Sequence, residues 1–231
     1  VKLKKLASMG KFELDENEKL KVVVRLDEKA KTIQIIDNGI GMTADEIKKF
    51  ITEIAFSGAT DFITKYQDQF ENGSDIIGHF GLGFYSAFMV AEKVQIDSKS
   101  YVADTESAKW VCDGGIEYEM DSSDRLNRGT TITLYVSDEN KEFLNAWKLK
   151  EILAKYCSFM PIEIYFEDVS KKDDEQEDKP VNETNPLWLK KPSECTDEEY
   201  KAFYHKVFTD FNDPLFWIHL NMDYPFRLKG I

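Results

Sequence analysis

The chain has 231 residues, 42% hydrophobic and 32% charged, enough for one sizeable core or for a core plus part of a second domain. Its formal net charge of −13 argues against duplex nucleic acid as a partner, which needs a basic face, but not against a nucleotide held by backbone amides in a local pocket. No apolar run approaches the ~20 residues that span a bilayer, and no signal-peptide pattern is present, so no membrane partner is expected.

The opening "VKLKKLASMG" reads as the last turns of a helix, with Leu3 and Leu6 on one side and Gly10 just past its end. The helix is entered in the middle, so a chain lacking its amino-terminal portion is expected. Residues 20–26, "LKVVVRL", and 31–36, "KTIQII", read as two strands joined by the short polar "DEKA". After them comes "DNGIGMTADEI". Asn-Gly commonly closes a hairpin, yet no second strand returns. Instead Thr43 and Glu46 have the spacing of a capping box, and Ile47, Phe50, Ile51 and Ile54 form the stripe of a helix over 44–54. The order strand, glycine loop, helix leaves backbone amides free at a helix start, which suits a ligand loop.

The next twenty residues, "FSGATDFITKYQDQFENGSD", are polar and weakly patterned, as functional lids are. "IIGHFGLGFYSAFMVA" then opens a helix whose apolar positions include Phe84, Ala87, Phe88 and Ala91. There is no G-x-x-x-x-G-K-[ST], which excludes a P-loop. Gly81, Gly83 and Ser86 approach the dinucleotide G-x-G-x-x-G, but the third glycine and the preceding strand are missing. Gly78, Gly81 and Gly83, three glycines in six residues, fit a backbone that must come close to an anion. A tight loop with no ligand is the plainer alternative.

Four strand-like pieces follow: "EKVQIDSK", "AKWVCD", "IEYEM" and "GTTITLYV". A helix around "WKLKEILAKYCSFM" places Leu149, Ile152, Leu153 and Tyr156 on one face, and the strand "IEIYF" closes the unit near residue 166. Helices gathered on one face of a largely antiparallel sheet make an α+β, two-layer sandwich. From Glu167 the stretch "EDVSKKDDEQEDKPVNET" holds eight acids and three bases without apolar pattern and reads as an acidic linker, 167–185. A second α/β domain begins at 186–231: Thr196 and Glu199 form another possible capping box, and Tyr200, Phe203, Tyr204 and Val207 make a helical face. Two strand-like pieces then stop with the domain unfinished. Cys112, Cys157 and Cys195 are odd in number and far apart, which fits reduced thiols in a cytosolic protein. With His79, His205 and His219 scattered, no metal site of side chains alone is expected.

"DNGIGMT" followed some forty residues later by "GHFGLGFYSAF" resembles the ATPase superfamily of gyrase, the ninety-kilodalton heat-shock chaperones, sensor histidine kinases and MutL. "IGHFGLGFYSAFMVA" and "RGTTITLYV" are similar to the heat-shock protein 90 branch, of the bacterial HtpG type, and "NPLWLKKPSECTDEEYKAFYHKVF" to the start of its middle domain. The resemblance thus covers essentially the whole chain. It implies a nucleotide-binding domain over 1–166, and an intact protein that is a cytoplasmic, stress-response chaperone. That protein would dimerise through a carboxy-terminal domain, clamp client polypeptides and hydrolyse ATP to ADP with magnesium.

Residue by residue, the resemblance makes Asp37 the acceptor of the adenine amino group. Gly41 is the glycine by the water-bridged base edge, Met42 packs on the ring, and Thr130 shares the water network with Asp37. It makes Gly78, Gly81 and Gly83 the phosphate-contacting glycines, with Phe84 beside them, and the span 57–75, including Ser57, Gly58 and Gly73, the lid. For Met42 and Phe84 plain core packing is the alternative. There are departures. Phe56 and Phe50 stand where many relatives carry a lysine and an asparagine. The family's catalytic glutamate and magnesium-holding asparagine lie on a helix that would end where this chain begins. The arginine that reaches the terminal phosphate lies beyond Ile231. No catalytic residue and no metal ligand is therefore assigned within 1–231, and the chain by itself is expected not to hydrolyse ATP. The rival reading is a non-hydrolysing nucleotide-binding or scaffolding module. A sensor kinase would need an upstream histidine-bearing helix and leaves the tryptophan-rich piece after the linker without a reason.

Overall fold

The computed structural model describes residues 2–15, 17–52, 83–171, 179–208, 210–222, 224 and 228–231, and divides into two compact units. The first comprises residues 1–158 and 162–182, the second 159–161 and 183–231.

The first unit is built on a seven-stranded sheet. Its strands are β1 (Lys21–Asp27), β2 (Thr32–Asp37), β3 (Ala91–Lys99), β4 (Ala108–Cys112), β5 (Glu119–Ser122), β6 (Gly129–Val136) and β7 (Glu163–Asp168), in the spatial order β5-β4-β3-β6-β2-β1-β7. All neighbours pair antiparallel except β1 and β7, which run parallel. Because side chains alternate across a strand, directly paired residues share a face. One face carries Val24, Leu26, Ile33, Leu134, Val94, Ile96, Trp110 and Phe166, all buried. The other carries Arg25, Gln34, Thr133, Gln95 and Glu167 in one continuous row.

Helices gather on the apolar face. α1 (Lys2–Ser8) buries Leu3 and Leu6 and ends at Gly10, whose φ of 67° needs no Cβ to be avoided. α2 (Ala44–Ile47) starts from a complete capping box: Thr43 N donates to Glu46 Oε2 at 2.8 Å and Glu46 N to Thr43 Oγ1 at 3.2 Å. It continues as a π turn, Lys48–Thr52, with Ile47 fully buried. α3 (Ala146–Tyr156) is capped by Asn145, buries Leu149 and sets Lys150 over the Phe166 ring at 5.5 Å.

Several expectations are corrected. Residues 83–89 form a 3-10 helix, and Ala91 is the first residue of β3 instead of a helical position, because Ala91 pairs with Val136. Tyr156 is 67% exposed at the end of α3, so that helix buries a narrower stripe than its periodicity suggested. β5 begins at Glu119, and Ile116 is fully exposed before it. β7 carries on to Asp168, since Glu167 pairs with Arg25 at 2.8 Å. Residues just before the second unit also return to this strand. Val181 N donates to Ile164 O at 2.7 Å, and buried Asn182 bonds Ile164 N and Ile162 O, both at 2.8 Å. The expected linker thus satisfies backbone groups of β7 at its end.

In the second unit α4 (Asp197–Val207) starts from the capping box of Thr196 and Glu199, and Lys190 pairs with Glu199 at 2.8 Å. Phe159, Trp188 and Phe203 cluster at ring separations of 4.7 to 5.7 Å, and Tyr200 stacks on Trp217 at 5.0 Å. β8 (Leu220–Met222) and β9 (Leu228–Gly230) pair antiparallel.

Candidate functional site

The apolar face is interrupted by polar side chains in one row. Ser98 on β3, Thr130 on β6 and Asp37 on β2 are direct cross-strand partners, flanked by Ala108 on one side and by Val22 and Ile164 on the other. Ser98 is fully buried and Thr130 is 7% exposed. Their hydroxyls lie 2.9 Å apart, and Ser98 Oγ also accepts from Met42 N at 2.8 Å and reaches Gly129 O at 3.2 Å. The Met42 loop and the Thr130 strand are therefore tied by one buried hydroxyl.

Backbone geometry explains how the loop after β2 reaches this row. Gly41 has φ of 62°, and a Cβ there would lie 1.8 Å from Lys99 O. The loop is held against the end of β3 by Tyr101 N donating to Ile40 O at 2.7 Å. Gly129 has φ of 117°, and a Cβ there would lie 2.1 Å from Asp37 O. Two glycines thus let three backbone segments meet where any side chain would part them.

Asp37 stands at the end of β2. Its Oδ1 accepts from Gly39 N at 2.7 Å. Burial pushes its carboxyl above the ordinary range. The bond from Gly39, the charge of Arg125 and the Thr130 backbone oppose that shift without cancelling it. On the same face Ile35, one pleat away, remains 38% exposed, and Met42 is half-buried. A carboxylate beside an open apolar floor, with two hydroxyls alongside, can accept a directional hydrogen bond from a flat heterocycle resting on that floor.

The structure thus brings together Asp37, Gly41, Met42 and Thr130. Gly83 and Phe84 belong to the 3-10 helix. Gly83 is exposed, with open space where a Cβ would stand, and Phe84 packs edge-on against Trp110 at 5.6 Å and Phe88 at 6.1 Å. Trp110 is on β4, three strand spacings from β2, about 14 Å across the same face. Gly78 and Gly81, with Ser57, Gly58 and Gly73 and the rest of 57–75, lie outside the described residues, as does Phe56. Among the described residues no three His, Cys, Asp or Glu side chains converge as a cation site.

Sequence reasoning missed Ser98, Gly129, Arg125 and Arg128. "DRLNRGTT" did hold a signal, two arginines and a glycine directly before an alternating strand. Nothing local says that Arg125 and Arg128 reach back 88 and 90 residues to the Asp37 loop.

A mixed sheet with helices on one face, and a glycine-locked strand-to-helix loop carrying a half-buried acid, define an ATPase domain of the class shared by histidine kinases, gyrase and Hsp90. The family model described as "Histidine kinase-, DNA gyrase B-, and HSP90-like ATPase" matches residues 16–121, and the model described as "Hsp90 protein" matches residues 167–231. The chain belongs to the heat-shock protein 90 family. It is 50% identical to the chaperone protein HtpG of Bacteroides thetaiotaomicron and 46% identical to that of Porphyromonas gingivalis, in each case over 100% of this chain and 34% of the relative. It is 38% identical to the HtpG of Fusobacterium nucleatum over 90% of this chain and 33% of that protein. The chain spans about a third of the length of these curated relatives.

Proposed function

We propose that the chain is the adenine-nucleotide-binding part of an ATP-dependent chaperone: a nucleotide domain whose last strand runs to Asp168, the acidic linker that follows it, and the start of the middle domain over 186–231. The observation that carries this reading is the cross-strand row of half-buried Asp37 with buried Thr130 and Ser98, beside the open apolar floor of Ile35 and Met42. Asp37 accepts the amino group of adenine, which distinguishes adenine from guanine because guanine presents an acceptor at that position. Gly41 and Thr130 line the base edge, and Met42 packs on the ring. Gly78, Gly81 and Gly83 offer amides to the phosphates, Phe84 supports them from the aromatic cluster on β4, and the span containing Ser57, Gly58 and Gly73 closes as the lid.

For the whole protein the reading extends to ATP hydrolysis with magnesium carried on the nucleotide's phosphates, to client polypeptides, to a homodimer and to the cytoplasm. Among the described residues no helix is long and apolar enough to cross a membrane. The stretch Val1–Ile231 by itself holds nucleotide weakly and does not turn it over, since no residue in it is assigned to orient a water or to stabilise the charge that develops in transfer.

Calorimetric titration with ADP tests the reading. Asp37→Asn is expected to weaken binding by roughly 2–3 kcal/mol, the scale of a buried hydrogen bond to a charged group. Equal affinities before and after the change would remove Asp37 from the site.

A further inference from the structure

The carboxylate of Asp37 has a fixed direction only if the backbone of residues 37–39 is fixed, since its Oδ1 is tied to Gly39 N. Two arginines from the connection between β5 and β6 hold that backbone. Arg125 Nη2 donates to Asp37 O at 2.7 Å, while its Nη1 donates to Thr131 Oγ1 and its Nε to Asn127 O at 3.0 Å. Arg128 Nη1 donates to Asn38 O and, at 3.2 Å, to Gly39 O, and its Nη2 pairs with Glu18. Three successive carbonyls are thus taken by two guanidinium groups. A planar fork suits this task because its donors keep their relative directions.

Arg125 adds charge to geometry. Among the described residues Arg125 is the charged side chain that acts on the Asp37 carboxyl, Arg128 lies beside it on the same connection, and the amino terminus adds a weaker positive charge. β6 and β3 present the uncharged Thr130 and Ser98, and Lys99 turns its ammonium to Thr105 O at 3.1 Å. Asp97, on the other face of β3, acts on Arg125 from behind. Burial drives the Asp37 carboxyl toward its neutral form, and Arg125 is the charged side chain working against it.

We propose that Arg125 is a positioning residue for nucleotide binding: held to the Asp37 carbonyl, it aims the carboxylate at the base. This rests on the reading that Asp37 accepts the adenine amino group. The test is ADP titration of the full chain from acid to neutral pH, for the parent, Arg125→Gln, Arg125→Lys and Asp37→Asn, with a melting curve at each pH. Arg125→Gln is expected to weaken ADP about tenfold at neutral pH, the scale of one charge-assisted bond. It should also move the acid-side loss of binding to higher pH. Arg125→Lys, which keeps the charge but not the fork, is expected to restore that midpoint while binding more weakly than the parent. A folded Arg125→Gln with parental affinity and midpoint overturns the proposal, as does Arg125→Lys titrating like Arg125→Gln. If Arg125→Gln does not fold, parental affinity in Arg125→Lys overturns it. Loss of binding in Asp37→Asn with none in the Arg125 variants sinks this inference alone, and no loss in Asp37→Asn sinks the base reading with it.

Discussion

The two faces of the seven-stranded sheet carry polar residues in opposite ways. On the open face they are many and serve one another. Gln34 Nε2 donates to Thr133 Oγ1 at 3.2 Å, Gln95 Nε2 to Asp97 Oδ2 at 2.7 Å, Ser123 Oγ to Asp97 Oδ1 at 2.7 Å, and Arg25 pairs with Glu167. A hollow of about 430 Å³ opens there, lined by Arg25, Gln34, Gln95, Thr133 and Tyr135 among others. On the helix-covered face polar groups are few, and the row of Asp37, Thr130 and Ser98 sits among Val, Ile and Leu. A polar group costs little where water competes for it and much where it does not. Acids and hydroxyls kept on the costly face are therefore the better pointer to a site than a larger number on the cheap one.

If this contrast is right, substitutions on the two faces differ in kind. The largest effect is expected at Gly129, where alanine must adopt φ of 117° and place its Cβ 2.1 Å from Asp37 O. Gly129→Ala should cost more than about 3 kcal/mol in urea unfolding. A cost near zero would mean that the segments do not meet as closely as described. Ser98→Ala comes next. It leaves the Met42 N–H and the Thr130 hydroxyl without their buried partner and should cost about 2 kcal/mol, read by the same unfolding.

Asp37→Asn is expected to act in the opposite sense on stability. The Asp37 carboxyl titrates above its ordinary 3.8 in the folded chain, chiefly from burial. Its contribution to stability is therefore fully present below the unfolded value and lost as pH rises through the folded one. Without nucleotide, Asp37→Asn should melt higher than the parent at neutral pH, with the gap closing as pH falls toward 3.8. A lower melting temperature at neutral pH would show that the ionised carboxylate is a net support of the fold. The smallest effect belongs to the open face: Gln34→Ala loses one half-exposed bond, should cost about 0.5 kcal/mol, and should leave ADP affinity unchanged. A Gln34 variant that weakened ADP would erase the contrast between the faces.

Much of this was legible along the chain because it depends on neighbours in sequence. Both capping boxes, the end of α1 at Gly10, the strand before and the helix after the Asn-Gly loop and the alternation of β6 follow from spacings of two to four residues, which local geometry translates directly into structure. Asp37, Gly41, Met42 and Thr130 were legible only as a likeness between motifs, and they do meet in space. What the tertiary structure alone decided is the support around them. Ser98 reads as one polar residue in an alternating strand, and Arg125 and Arg128 read as loop charges. It is strand order, with β6 laid between β2 and β3, that makes a hydroxyl 56 residues from Met42 and a guanidinium 88 residues from Asp37 their hydrogen-bonding neighbours. Periodicity carries no information over such separations, because the contacts form only when the sheet closes and brings its strands into register.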